Sequence, residues 1–260
     1  MRQKSFRDDF VFFRTKLREN ESFAFVRFSD GEQYILDNTE LKLDQGLIQI
    51  GNRKQGGVYK PADFKHFDPI QHKSVRDLLM ESYLHKQPNY FKGIGCPCCN
   101  GNEYKDRQLK MVGGDSDDLT WANLWVNGNY PMFISEILPI FYSRDCVFVG
   151  HKDANLDKLP FFVKDFRVGY NAMVNDLSVI DDIDNWITEN KIENHTFLFS
   201  ASSFTNIAVY KLYKKHPKNT YIDIGTCLTP MMDMPTHRGY LEAYWGYKGG
   251  KDLQKICKWN

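Results

Sequence analysis

From residue 144 onwards, short apolar runs alternate with amphipathic stretches, and this alternation leaves few architectures open. Cys146-Val147-Phe148-Val149, Phe166-Arg167-Val168, Thr196-Phe197-Leu198-Phe199 and Tyr221-Ile222-Asp223-Ile224 have the β-branched and aromatic character of strands. Helical stretches are read between them, near 155–163, 178–190 and 204–215. Strands that alternate with helices make βαβ units, and such crossovers run the strands parallel. The expected fold class is therefore α/β: a single Rossmann-like domain over residues 1–260, with a largely parallel sheet and helices on both faces.

The first half of the chain is less regular. Phe6, Phe10, Phe13 and Leu17 recur at helical spacing and predict a helix over 5–19. A strand near 22–28 follows, and Val75, Leu78, Leu79 and Tyr83 mark a helix at 72–86. Residues 33–71 read as turn-rich, and 93–120 as a loop-rich insertion. A chain of 260 residues with 42% hydrophobic and 26% charged side chains is long and apolar enough to bury a substantial core. Its net charge of +1 supplies no global field that would draw in a polyanion. No apolar run approaches the ~18 residues of a membrane helix, so no membrane span is expected. The first nine residues also lack the apolar centre of a signal peptide, which makes the cytoplasm the expected compartment. Three of the six cysteines, Cys96, Cys98 and Cys99, crowd together with no matching second pair. Reduced thiols, and a fold that does not need zinc, are expected from that spacing.

The chemistry concentrates where the first strand ends. Phe23, Phe25, Val26 and Phe28 suit a buried strand, and Ser29-Asp30-Gly31-Glu32 breaks it. Ligands in open α/β folds bind just past the carboxyl ends of strands. Two carboxylates at i and i+2 on such a turn, Asp30 and Glu32, can share one hard divalent cation that bridges nucleotide phosphates. Two other acidic groups compete for that role. Asp115, Asp117 and Asp118 lie in a loop with no strand before it, and Asp181, Asp182 and Asp184 are explained by the dipole of the helix they open.

Arg27-Phe28-Ser29-Asp30-Gly31-Glu32 resembles the signature of the glycosyltransferase GT-D fold family. Asn127-Gly128-Asn129-Tyr130-Pro131-Met132-Phe133-Ile134, Asn171-Ala172, Phe204-Thr205-Asn206 and Ile222-Asp223-Ile224-Gly225 resemble further segments of that family, in order, across roughly residues 20–230. The chain departs from the pattern at Ser29, at Ala201-Ser202-Ser203-Phe204-Thr205 and at Thr226, where the family usually has Gly, a Gly-Pro-Thr-like turn and His. The resemblance implies a metal-dependent glycosyltransferase. Asp30 and Glu32 would hold Mn²⁺ or Mg²⁺, a nucleoside-diphosphate sugar would be the donor, and a hydroxyl group the acceptor. It also brings Asp223, within the last strand, near the active site as first choice for a catalytic base, the alternative being a hydrogen bond to a neighbouring loop; apart from the resemblance, His237 is a second base candidate.

Among the cofactor-binding candidates, Arg27 suits a phosphate contact or an ion pair that fixes the turn. Asn171 suits a hydrogen bond to base or ribose, or an ordinary turn cap. Ser203 and Thr205, with Ser202, lie where a strand meets a helix, which suits either an anion or an N-cap. A glycan is the expected acceptor. The alternative is a hydroxymethylated base in DNA, gripped by Arg53, Lys54, Lys60 and the basic, aromatic tail over 245–260. A nucleotide-binding or lectin-like module without catalysis is the non-enzymatic reading.

Overall fold

In the computed structural model of the chain, residues 6–44, 47–56, 64–235 and 238–246 are described. The helices are α1 Phe6–Arg18, α2 Asp30–Leu36, α3 Lys73–Leu84, α4 Pro97–Asn100, α5 Asn102–Met111, α6 Tyr130–Met132, α7 Leu138–Phe141, α8 Ala172–Asn175, α9 Val179–Asn190, α10 Ser203–Lys215 and α11 Gly239–Tyr244. The strands are β1 Ala24–Arg27, β2 Leu41–Asp44, β3 Leu47–Ile50, β4 Arg53–Gly56, β5 Lys65–Phe67, β6 Tyr90–Ile94, β7 Leu119–Trp121, β8 Cys146–His151, β9 Phe162–Val168, β10 Thr196–Ser200 and β11 Thr220–Asp223.

Seven strands form the main sheet in the order β7-β6-β1-β11-β10-β8-β9, and every neighbouring pair is parallel. The pleat divides the core between its two faces, because successive side chains point to opposite sides. Along β1 and its flanks, Ala24, Val26 and Phe28 join one apolar cluster, whereas Phe23 and Phe25 join the other. Phe197 and Phe199 fall on the first face and Leu198 on the second. The first face is covered by Val75 and Leu79 of α3, Ile183 and Ile187 of α9, and Phe204 and Ala208 of α10. The second is covered by Phe6, Phe10, Phe13 and Leu17 of α1, together with Tyr130, Phe133 and Phe141. Burial of each such aromatic or leucine side chain stabilises by about 1.5–3 kcal/mol. The expected α/β class, largely parallel sheet and helices on both faces are all present.

Three local expectations are corrected. Residues 33–71 are not mainly turns, since α2 is followed by an antiparallel sheet in the order β4-β3-β2-β5. Strands of three or four residues carry too little alternation to stand out in a sequence. The stretch 93–120 is no loop-rich insertion, because it contributes α4, α5 and the edge strand β7 to the main sheet. No helix forms over 155–163. Asp157 N–H bonds the Asn155 side chain at 2.9 Å in an Asx turn, Pro160 follows, and β9 begins at Phe162. Sequence reading also passed over the helical segment after Asn127. There a π turn, Phe133–Ile137, precedes α7, where Pro139 has no N–H to continue a regular ladder.

Candidate active site

The predicted site residues gather at the carboxyl ends of β1, β10 and β11. Asp30 is the first residue of α2, so it opens a helix rather than standing on a free turn. Residues two apart on a helix have Cβ directions roughly 200° apart, and the two carboxylates differ in burial although both reach Ser29. Asp30 is exposed, whereas Glu32 is only 8% exposed. One oxygen of Asp30, Oδ1, accepts bonds from Gly31 N–H at 3.0 Å and Ser29 hydroxyl at 3.2 Å.

Glu32 turns inward to Lys65, which β5 delivers from the small sheet. Lys65 Nζ lies 3.1 Å from Glu32 Oε1 and donates to Ser203 Oγ at 2.8 Å. Ser203 hydroxyl donates to the same Glu32 oxygen at 2.5 Å, and Ser29 N–H donates to Oε2 at 3.1 Å. Burial works to raise the Glu32 pKa. The Lys65 charge and the bonds from Ser203, Lys65 and Ser29 outweigh it and hold the carboxyl below its ordinary value.

Asp223 ends β11 and is 8% exposed. Its Oδ1 accepts Gly225 N–H at 2.9 Å and lies 3.8 Å from Arg27 Nη1. Burial pushes its carboxyl up to about 6, against the pull of Arg27 and with a further push from the Glu32 charge. Arg27 Nε donates to the carbonyl of Ala122, and Asn206 amide donates to the carbonyl of Arg27 at 2.8 Å. The guanidinium passes over Gly225, which has φ +52° and whose added Cβ would clash with Arg27 Nη1. Both the left-handed backbone and the close approach require glycine there. Gly225→Ala is expected to lower unfolding free energy by about 1–3 kcal/mol and to displace Arg27. Urea denaturation checks this, and an unchanged midpoint would contradict it.

Of the remaining candidates, Asn171 and Thr205 make hydrogen bonds within the fold. Asn171, at φ +55°, exchanges two 3.0 Å bonds with the backbone of His66, so its amide ties β5 to the end of β9. Thr205 is fully buried, and its Oγ1 accepts Ala201 N–H at 3.3 Å. Ser202 precedes α10 in an unusual backbone conformation, φ +54° and ψ −144°, and its side chain is exposed. The rival acids have partners of their own: Asp118 pairs with Lys92 at 2.7 Å, and Asp184 pairs with Lys215 and with His216. Arg53 and Lys54 are exposed on β4, the edge of the small sheet. His237, Lys60 and residues 247–260 lie outside the described residues.

Sequence reading missed Lys65, Tyr104 and Gln108. Gln108 accepts Gly95 N–H at 2.7 Å and donates to the carbonyl of Phe28 at 3.1 Å, which locks the end of β6 to the end of β1. Tyr104 hydroxyl is buried with no hydrogen-bond partner among the described residues. Burial, then the charges of Asp30 and Glu32, hold it far above its usual value. The one available signal was Phe64-Lys65-His66-Phe67, where alternation puts Lys65 on the same side as apolar Phe67. A separate hollow of about 630 Å³, lined in part by Arg18, Glu136, Arg144 and Glu193, opens at the opposite, amino-terminal edge of β8 and β10. It holds none of the predicted residues.

No protein-family profile and no curated protein matches the chain. Three solved structures are similar to it. One is a selenomethionine-substituted domain of unknown function 1792, at 11% identity over 94% of this chain and 89% of that one, TM-score 0.57. Another is described as the highly conserved domain of unknown function 1792 with a distinct glycosyltransferase fold, at 11% identity, 94% and 89% coverage and TM-score 0.56. A third is a new glycosyltransferase of that domain from Streptococcus sanguinis, at 13% identity, 95% and 94% coverage and TM-score 0.56. Likeness at such low identity is likeness of fold, and this chain has an α/β fold that matches a glycosyltransferase fold.

Proposed function

We propose that the protein moves a sugar from a nucleoside-diphosphate donor to a hydroxyl acceptor. The observation that carries this reading is Asp223, a buried carboxylate raised to about 6 beside Arg27, at the sheet edge where α/β folds bind ligands. A carboxylate so tuned is ionised near neutral pH yet basic enough to take a proton. In the reaction, the acceptor oxygen forms a bond to the anomeric carbon, the anomeric carbon–phosphate oxygen bond breaks, and Asp223 takes the hydroxyl proton. Arg27 keeps the Asp223 side chain in place and adds positive charge near the leaving diphosphate.

The donor set fits a Mn²⁺ or Mg²⁺ ion at Asp30, whose exposed carboxylate has an oxygen left over from its local bonds. It does not fit one ion shared by both carboxylates, because Glu32 faces inward and already has Lys65 as its counter-charge. When bound, such an ion would neutralise the diphosphate with the donor's own oxygens as further ligands. Glu32 would then act through Lys65 and Ser203, fixing β5 and α10 around the donor.

Among the described residues no helix is long and apolar enough to cross a membrane. A glycan is the acceptor we favour, since the +1 net charge gives weak attraction for DNA. Hydrolysis of a panel of nucleotide sugars, with Mn²⁺ present, is the test. Turnover of one donor supports the reading, and nucleotide binding without turnover would replace it with a non-catalytic module. A gel shift that weakens steeply with salt, and is lost on Arg53→Gln with Lys54→Gln, would turn the acceptor assignment to DNA.

A further inference from the structure

We propose that Cys96, Cys98 and Cys99 form a three-thiolate zinc site with its fourth position open to solvent. Adjacent cysteines in sequence suggested reduced thiols in a loop, but the fold converges them. All three Sγ atoms lie within 4.8 Å of one another, and those of Cys96 and Cys98 are 3.0 Å apart. Zn–S bonds of about 2.3 Å in a tetrahedron set sulfur–sulfur separations of roughly 3.8 Å, so small side-chain rotations suffice.

Backbone hydrogen bonds set this geometry. Cys96 carbonyl accepts Cys99 N–H at 3.2 Å and Asn100 N–H at 3.0 Å, which curls the three cysteines around one turn. The turn is anchored at Gly95, where Gln108 takes the N–H and the Tyr104 ring packs so closely that a Cβ would lie 2.5 Å from it. Cys96 is buried while Cys98 and Cys99 are exposed, so an ion bound here would sit at the surface with its free position outward. Three protein ligands and an exchangeable fourth position are the pattern of open zinc sites.

Asn127 supplies the outer support. Its amide donates to Cys99 Sγ at 3.8 Å, from a backbone with φ +56°. A donor of this kind stabilises a thiolate and orients it towards the metal. Sulfur ligands also separate this site from Asp30, whose oxygen suits a hard ion.

Cobalt titration of the reduced, metal-stripped full chain tests the proposal. The expected result is one Co²⁺ per chain, with a thiolate-to-cobalt charge-transfer band that Zn²⁺ abolishes. Binding should weaken as pH falls, because each cysteine thiol must give up its proton to ligate the metal as a thiolate. Cys98→Ser and Cys99→Ser, both at exposed positions, should each diminish the band while circular dichroism stays unchanged. Asn127→Gly tolerates the positive φ and should weaken binding about 10–100-fold. Absence of the band in folded, reduced protein would overturn the site, and so would its persistence when Cys98 and Cys99 are both replaced.

Discussion

Asp223→Asn is expected to lower sugar transfer by about 10²–10⁴-fold, the range that general-base catalysis contributes. Asparagine keeps the shape and can still accept Gly225 N–H, so circular dichroism should be unchanged. It cannot take a proton from the acceptor. The pH profile is the sharper readout. Asp223 works as the carboxylate, and its pKa is raised to about 6. The rate should therefore be flat above that value and fall as pH drops through it. In Asp223→Asn the residual rate should lose this limb. A variant with near-wild-type turnover, or one with the same limb, would remove Asp223 from the chemistry and pass the base role to another group.

Breaking the Glu32–Lys65 pair is expected to destabilise the fold by about 3–5 kcal/mol, the loss seen when one partner of a buried ion pair is removed. On a free turn Glu32→Gln would leave the fold intact, because turn carboxylates are ordinarily exposed. Here Glu32 and Lys65 are each about 10% exposed at the side chain, and Ser203 completes the cluster. Glu32→Gln strands a buried ammonium, and Lys65→Met strands a buried carboxylate. The double variant should lose less than the two single losses summed, because neither charge is then left alone. The pH dependence has a definite sign. The Glu32 pKa is lowered in the folded protein, so its stabilisation is present above the unfolded value of about 4.3 and is lost as pH falls through the folded one. Urea midpoints of wild type and Glu32→Gln should converge in acid. Strictly additive losses at neutral pH would show that the two residues do not interact. Asp30→Asn, at an exposed position, should leave stability unchanged.

The contrast between Asp30 and Glu32 shows where sequence reasoning stops. Both were legible as functional candidates, because they stand just past the carboxyl end of a strand, where α/β folds bind ligands, within a segment that resembles a family signature. Their unequal burial was not legible, since the pattern itself does not say which of two acids at i and i+2 faces inward. Ser29 and Glu32 form a capping box that winds this segment into α2, and Glu32 is buried there against a partner from far along the chain. That partner, Lys65, is 33 residues away. Asn171 followed the same course. The sequence left it between ligand contact and cap, and the structure commits its amide to the His66 backbone.

Local physics written into the chain determined the α/β class and the strands at 146–149, 196–199 and 221–224. It also determined helices α9 and α10 but not the stretch 155–163, because each depends on a repeat of two or 3.6 residues within one segment. Tertiary structure alone decided that residues 93–120 complete the main sheet and that a four-stranded sheet carries Lys65 to Glu32. It likewise decided that three cysteines meet around one turn and that Asp223 is buried next to Arg27. Each of these rests on contacts between segments far apart in sequence, where burial and charge pairing outweigh the preferences of any single stretch.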